Sequence, residues 1–474
     1  MPVYLPHIRP PLRRAQRGQV LVFGIFVAAV AAAMLFFVFN SGQLIREKTK
    51  LVNTTDAAAY AAGVLEARTL NYVSYANRVI VGNTIAIAQM NSLQSWLTML
   101  NTAGEDAIVL LSTKYPEMIA PVAAAQQHAP QMQGELVDSG VLGALTGLSD
   151  QRNLYTVAYS QLIAFQVLRK ARADAVDNVL ATSYANDGNP PRAELMSDSL
   201  GPADSEEDWR YSEDGFVRIM GGQDRGRMLS TVLAAQSKDP FIGIADPKAP
   251  ANDPLQRGWE SEADSPFCAG MKDKLIRRGK TWISEDGNSG NLDAPGPPGF
   301  ARWTSEDELV EEYYSFEDCS TPQRRRVLFG RNSFGSGAAG GSGYAGIPDY
   351  FDLHPRLMND RPGEDDKLRM GFAIRVTRQV SDTMTSEGRS IIEPTERLNA
   401  YKAKPAGGTG EMVAVSKTET FFRRDGEARL NKESGTEERP NLFNPFWHTR
   451  LANPCGEVNA ARNIQGAGGI CETL

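Results

Sequence analysis

Hydrophobic and polar positions alternate along this chain in three ways, and each predicts a different element. From Val20 to Phe39 (VLVFGIFVAAVAAAMLFFVF) there is no charged or polar side chain. At about 1.5 Å per residue this run is roughly 30 Å long, the hydrocarbon thickness of a bilayer, so it predicts one membrane-crossing helix. Beyond it, Leu51, Thr55, Ala58, Ala62, Leu65, Thr69, Tyr72, Ala76 and Val79 fall at alternating spacings of three and four, a helical seam that resumes with Ala86, Met90, Leu93, Leu97 and Leu100. Gly63 and Gly82 are the places where this helix is expected to bend or break. The seam residues are mostly small, which favours close approach of a neighbour. An amphipathic helix folded onto its own domain is expected slightly ahead of an intermolecular bundle.

A second helix is predicted over about 153–180, where Leu154, Val157, Leu162, Phe165, Leu168, Ala175, Val176 and Val179 form one stripe opposite Lys170, Asp174 and Asp177. Arg172 falls inside that stripe, and the expectation is that its stem lies along the apolar face while its head reaches water. Between the helices Pro116, Pro121 and Pro130, then Gly134, Gly140, Gly143 and Gly147, predict short helices and turns.

After Asp187 the composition turns polar and acidic, which places a domain boundary near 186–210. The period then drops to two. Phe372, Ile374, Val376 and Val380 alternate with Ala373, Arg375, Thr377 and Gln379, a half-buried strand. Weaker runs lie at 280–283, 299–304, 309–316, 325–330 and 412–422, separated by Gly, Pro and Asp clusters. The expected fold class is α+β: residues 1–19 a basic stub, 20–39 the membrane helix, 40–186 a helical region, and 210–474 a mainly antiparallel β domain with long loops.

Charge orients the anchor. The N-terminal arm holds Arg9, Arg13, Arg14 and Arg17 and no acid, whereas the other flank mixes Arg46, Lys48 and Lys50 with Glu47 and Asp56. The Lys/Arg bias predicts a cytoplasmic N-terminus and an exported body. A cleaved signal is the rival, with an A-x-A-like site at Ala29 to Ala33, but signal cores span about 7 to 15 residues and this run continues through Phe39. Residues 1–50 carry seven Lys/Arg and one Glu, a formal +6, so the remaining residues sum to −13 to give the overall −7. An acidic body argues against a nucleic-acid partner, which needs a basic surface.

Cys268, Cys319, Cys455 and Cys471 are the cysteines. An even count in an exported region suggests disulfides, and of the three connectivities Cys268 with Cys319 and Cys455 with Cys471 close the smaller loops. No C-x-x-C pair occurs and the four histidines are scattered, so no metal is expected. The Gly-rich run 330–346 lacks the GK[ST] end of a phosphate loop and reads as a mobile surface loop. The segment 286–293 (DGNSGNLD) matches a calcium loop only in part, with Gly290 where an oxygen ligand belongs. Acidic runs at 260–264, 306–312 and 364–366 read as solvated faces. With no G-x-S-x-G, H-E-x-x-H or P-loop, no catalytic residue and no cofactor are expected.

The order of a short basic stub, Arg17-Gly18-Gln19, the anchor and then Asp56-Ala57-Ala58-Ala59 resembles the N-terminal part of TadE/TadG-like proteins of the Tad (tight adherence, Flp-type) pilus machinery. The strand MVAVSKTETFFRR and the block NLFNPFWHTRL at 441–451 are similar to larger pilus-assembly relatives. The resemblance implies a single-pass bacterial inner-membrane protein with its body periplasmic or extracellular, acting with other pilus-assembly or pilin-like proteins in building an adhesive fibre, and no catalysis. Two family-like features are missing: after Gly18 the fifth residue is Phe23 where prepilin processing wants Glu, and no D-x-S-x-S adhesion motif occurs. Gly24, Ala28 and Ala32, spaced by four, offer a small-residue stripe for homo- or hetero-oligomeric helix contacts, against a chance product of alanine abundance. Asp56 is expected to be a solvated carboxylate ahead of a partner for Lys50 or Arg46. The rival functions are a stand-alone anchored binding or adhesion protein and, less favoured, an anchored hydrolase.

Overall fold

The computed structural model of the protein describes residues 19–116, 119–135, 150–187, 189–200, 216–220, 226–239, 242, 257–284, 302–315, 319, 325–335, 347–354, 368–385, 388–389, 410–424 and 438–464. In chain order the elements are α1 (Gln19–Lys114), α2 (Ile119–Gln133), α3 (Asp150–Ser183), β1 (Arg192–Asp198), β2 (Val217–Met220), α4 (Gly226–Gln236), β3 (Arg257–Asp264), β4 (Lys272–Ser284), β5 (Arg302–Tyr313), β6 (Arg325–Gly335), β7 (Tyr350–Leu353), β8 (Met370–Gln379), β9 (Met384–Thr385), β10 (Gly388–Arg389), β11 (Glu411–Phe422), β12 (Trp447–Ala452) and α5 (Cys455–Ile464). The class is α+β, with every strand pairing antiparallel. One sheet has the order β1-β8-β11-β12 and a second is the meander β3-β4-β5-β6; β2-β7 and β9-β10 are two-stranded.

The spine of the molecule is α1, which runs 96 residues without interruption, about 140 Å at the α-helical rise. Four cores are strung along it. Nearest the N-terminus, Leu44, Leu51, Ala58, Ala59 and Ala62 pack on Phe372, Ile374, Val376, Met412 and Ala414 of the first sheet. Next, Leu70 and Val73 meet Phe165, Leu168, Phe351 and Trp447. Farther on, Ile80, Ile87 and Ala88 meet α4 through Met228 and Val232, together with Trp303. Finally, Leu97 and Leu100 meet Leu275 and Leu309 of the second sheet. Each large aliphatic side chain withdrawn from water in this way contributes about 1.5–3 kcal/mol. Helix α3 returns antiparallel beside α1, joined for example by the Tyr72 hydroxyl donating to Ser160 Oγ at 2.7 Å.

Helix α1 continues as helix through Gly63 and Gly82, so neither breaks it. One Gly costs a helix about 1 kcal/mol relative to Ala, and the docking contacts on both sides of Gly63 outweigh that. Its missing side chain is what lets the helix sit on the sheet: a Cβ at Gly63 would lie 2.4 Å from Thr449 Oγ1 and 3.0 Å from Thr418 Oγ1. Gly63→Leu is therefore expected to destabilise the fold by about 1–3 kcal/mol through overpacking. Chemical denaturation checks this. The loss should shrink when Thr449→Ala is added, and full additivity of the two changes would contradict the contact.

The second helix extends the expected range by a few residues at each end, and β8 and β11 match the expected strands. The described parts of the runs at 299–304 and 309–316 belong to one strand, β5, while residues 330–335 of the Gly-rich run extend β6; residues 299–301, 316 and 336–346 lie outside the described residues. Strand β8 is more than half-buried, since Ala373 and Arg375 on its far side are also buried. Helix α5 covers that side, with Glu457 accepting from Ser197 at 3.3 Å and pairing with Lys417 at 2.9 Å. Strand β1 falls inside the polar stretch 186–210 and forms an edge of the first sheet.

Glu260, Glu262 and Asp264 of the run 260–264 are exposed, as a solvated face requires, but the run 306–312 is not a simple solvated face. Glu306 and Asp307 of β5 face basic residues of β4, with Lys280–Glu306 and Arg277–Asp307 both at 3.1 Å, and Asp307 is buried. Lys114, at the end of α1, lies between the buried Asp273 at 3.0 Å and Glu311 at 2.8 Å. The run 364–366 and the loop 286–293 lie outside the described residues.

Candidate functional site: the apolar end of α1 and its docking to the body

The N-terminal part of the site is set by composition alone. Every residue from Val20 to Phe39 is exposed, and burial begins abruptly at Asn40. This segment carries no charge and none of it is buried, so the helix is long and apolar enough to cross a membrane. An unburied run of this size is not what a water-facing helix shows. Gly24, Ala28 and Ala32 are all exposed along it, and nothing lies within 4 Å of where a Gly24 Cβ would stand.

Past this segment, charged side chains fasten α1 to the body. Lys50 pairs with Asp187 at 2.8 Å and stands 4.0 Å from the centre of the Tyr184 ring. Arg378 of β8, itself buried, reaches Glu47 at 3.3 Å and Asp187 at 3.2 Å, with its guanidinium 4.5 Å from the same ring. Lys48 donates to the Val413 carbonyl, and burial lowers its pKa to about 8. The hydrogen bond from Lys50, then burial acting against it and the bond from Arg378, hold the Asp187 carboxyl below its ordinary value. Asp56 is half-buried, and Lys50, one of its two expected partners, pairs instead with Asp187. Arg46 is exposed.

About four turns beyond Lys50, α1, α3, β1, β8 and β11 converge on a buried charge cluster. Arg172 of α3 is 2 % exposed and Glu66 of α1 is 0 % exposed. The expectation that the Arg172 head reaches water is overturned, because its nitrogens donate to Glu66 Oε1 and to both carboxylate oxygens of Asp198 on β1. Its guanidinium also lies 4.8 Å from the Phe372 ring centre. Thr420 of β11 donates to Glu66 Oε2 at 3.1 Å. A buried acid and base are tolerable only when paired and hydrogen-bonded, and this geometry meets that condition.

Amide side chains then stitch the helix to the sheets. Asn71 donates to the Trp447 carbonyl at 3.0 Å and accepts its N–H at 2.9 Å, copying the pairing a further strand would offer. Asn77 donates to the carbonyls of Phe351 at 2.9 Å and Leu442 at 2.7 Å, and Asn91 to that of Trp303 at 3.0 Å. These polar residues carry no periodic signal. Their only trace in the sequence is an asparagine within an otherwise apolar helical face, which is costly unless it is bonded.

Of the other residues singled out from sequence, Arg17 and Gly18 lie outside the described residues and Gln19 opens α1. Ala57 is exposed, whereas Ala58 and Ala59 are buried against the first sheet, where small side chains allow close approach. Cys268 and Cys319 form a disulfide. Cys455 is buried at the start of α5, and its expected partner Cys471 lies outside the described residues.

Among the described residues the structure thus has one candidate membrane helix, which continues without interruption into an α+β body. Residues 18–67, from the stub through the turn that carries Glu66, match the family described as putative Flp pilus-assembly TadE/G-like. The chain is TadE/TadG-like over this segment, and the match supports a pilus-related role. No curated protein and no solved structure matches the chain.

Proposed function

We propose that the protein is a membrane-anchored structural or assembly component of a Tad/Flp-type pilus, working through helix and domain contacts rather than through catalysis. The observation that carries this is the coincidence of the TadE/G-like match at residues 18–67 with a fully exposed, charge-free segment at 20–39. In this reading that segment sits in the bacterial inner membrane with the N-terminus cytoplasmic. The exported body is held on the same uninterrupted helix, so whatever packs against the anchor is connected to the sheets through continuous helix. Small residues at Gly24, Ala28 and Ala32 suit close contact with another membrane helix.

Deleting the gene is expected to abolish or alter surface fibres, and the protein should co-purify with pilus subunits from membranes. Immunolabelling of sheared fibres separates a fibre component from a membrane-retained factor. Unchanged piliation in a clean deletion would instead favour an anchored binding or adhesion protein working alone.

A further inference from the structure

Glu66, Arg172 and Asp198 place three formal charges in one enclosed site, and three charges cannot sum to zero. We propose that this cluster is a proton-operated latch: with one proton on Glu66 the site is neutral and the junction of α1, α3 and the first sheet is closed, and loss of that proton buries a net negative charge and loosens the junction. The inference stands on the cluster alone and does not depend on what the apolar segment binds.

Hydrogen bonding decides where the proton goes. Arginine keeps its charge in any folded protein. Asp198 accepts from both terminal nitrogens of Arg172 and, at 2.9 Å, from the Leu200 N–H. Glu66 accepts from one Arg172 nitrogen and the Thr420 hydroxyl. The carboxylate with more donors holds its charge better, which leaves Glu66 as the group to protonate. The charged groups acting on Glu66 are Arg172 from α3, which favours its ionised form, and Asp198 from β1, which opposes it. Strand β11 presents only the Thr420 hydroxyl, and β8 the Phe372 ring beneath Arg172.

Burial, with the Asp198 charge adding to it, raises the Glu66 pKa from 4.5 to about 7 despite Arg172. Burial also works against the charge on Arg172, but Glu66 and Asp198 more than offset it, so the guanidinium stays charged. The folded state therefore holds a proton that the unfolded chain has released across the interval from 4.5 to about 7. The stabilisation from this group is complete below that interval and is lost as pH rises through about 7. Within it the ratio of opened to closed junction rises about tenfold per pH unit, and above it the ratio levels off.

The test is the thermal unfolding midpoint of the full chain in detergent micelles, followed from pH 5 to pH 8.5 for the native protein, Glu66→Gln and Asp198→Asn. Glu66→Gln, a neutral isostere of the protonated side chain, should match the native protein in acid and exceed it at pH 8. Asp198→Asn leaves one carboxylate against one guanidinium and should flatten the same component of the pH profile. Infrared difference spectra report the proton itself: a carboxylic-acid band present at pH 6, lost by pH 8 and absent from Glu66→Gln. The proposal fails if Glu66→Gln keeps the native pH slope, if it is less stable than the native protein at pH 8, or if the band is missing.

Discussion

Arg172→Ala is expected to lower the free energy of unfolding by about 3–5 kcal/mol, the usual cost of removing one partner from a buried ionic site. The substitution strips Glu66 and Asp198 of their shared donor in a place that water does not reach, since Arg172 is 2 % exposed. It also removes the cation over the Phe372 ring and the aliphatic stem packed within the α3 stripe. Urea denaturation of the full chain in micelles measures the loss. Replacing the cluster as a unit, with Arg172→Met, Glu66→Leu and Asp198→Asn together, should restore most of the stability, because well-packed apolar groups of similar volume substitute for buried ions at little cost. A loss below about 1 kcal/mol for Arg172→Ala would mean that the cluster is hydrated and that the enclosed geometry is wrong.

Placing Asp at both Val27 and Val30 is expected to move the protein from the membrane fraction to the soluble or aggregated fraction. The segment from Val20 to Phe39 contains 13 Leu, Ile, Phe and Val residues, which together favour insertion by roughly 4–8 kcal/mol. Each central Asp opposes insertion by about 2.5–3.5 kcal/mol, so one leaves a margin and two cancel most or all of it. Carbonate extraction followed by immunoblotting is the measurement. A native protein already extracted by carbonate would sink the anchoring proposal. A double-Asp variant that stays with the membrane would show that something other than this helix holds it there.

Parts of this architecture are written locally in the chain and parts are not. The exposed apolar segment was legible because insertion energy is a sum over consecutive residues, with no knowledge of the fold required. The seam from Leu51 to Ala62 was legible for a similar reason, since one face of α1 meets one sheet there. Between Ala62 and Ile80 the same three-and-four spacing misleads in part: Tyr72 and Val79 are exposed, while Leu70, Val73 and Ile80, off the seam, are buried; Leu97 and Leu100, where the seam resumes, are buried again. As α1 passes from one core to the next, the buried face rotates, and a periodic pattern read from sequence cannot follow a change of partner.

The charge cluster was out of reach for a different reason. Arg172 meets Glu66 across 106 positions and Asp198 across 26, so its spacing within α3 says only that it lies on the buried face. Nothing in the local pattern distinguishes a side chain that escapes to water from one that meets two acids. The acidic run of β5 is similar, because whether Asp307 is solvated or buried depends on Arg277 lying across the sheet.

From sequence alone come the charge-free membrane-length helix, its TadE/TadG-like neighbourhood, the α+β class and the helical seam that begins the spine. These depend on near neighbours and on additive transfer energies. Only the tertiary structure decided that α1 runs unbroken through Gly63 and Gly82, that asparagines tie it to the sheets, and that Glu66, Arg172 and Asp198 close a single site. Those outcomes rest on contacts between distant segments, whose energies exist only once the chain has folded and excluded the water between them.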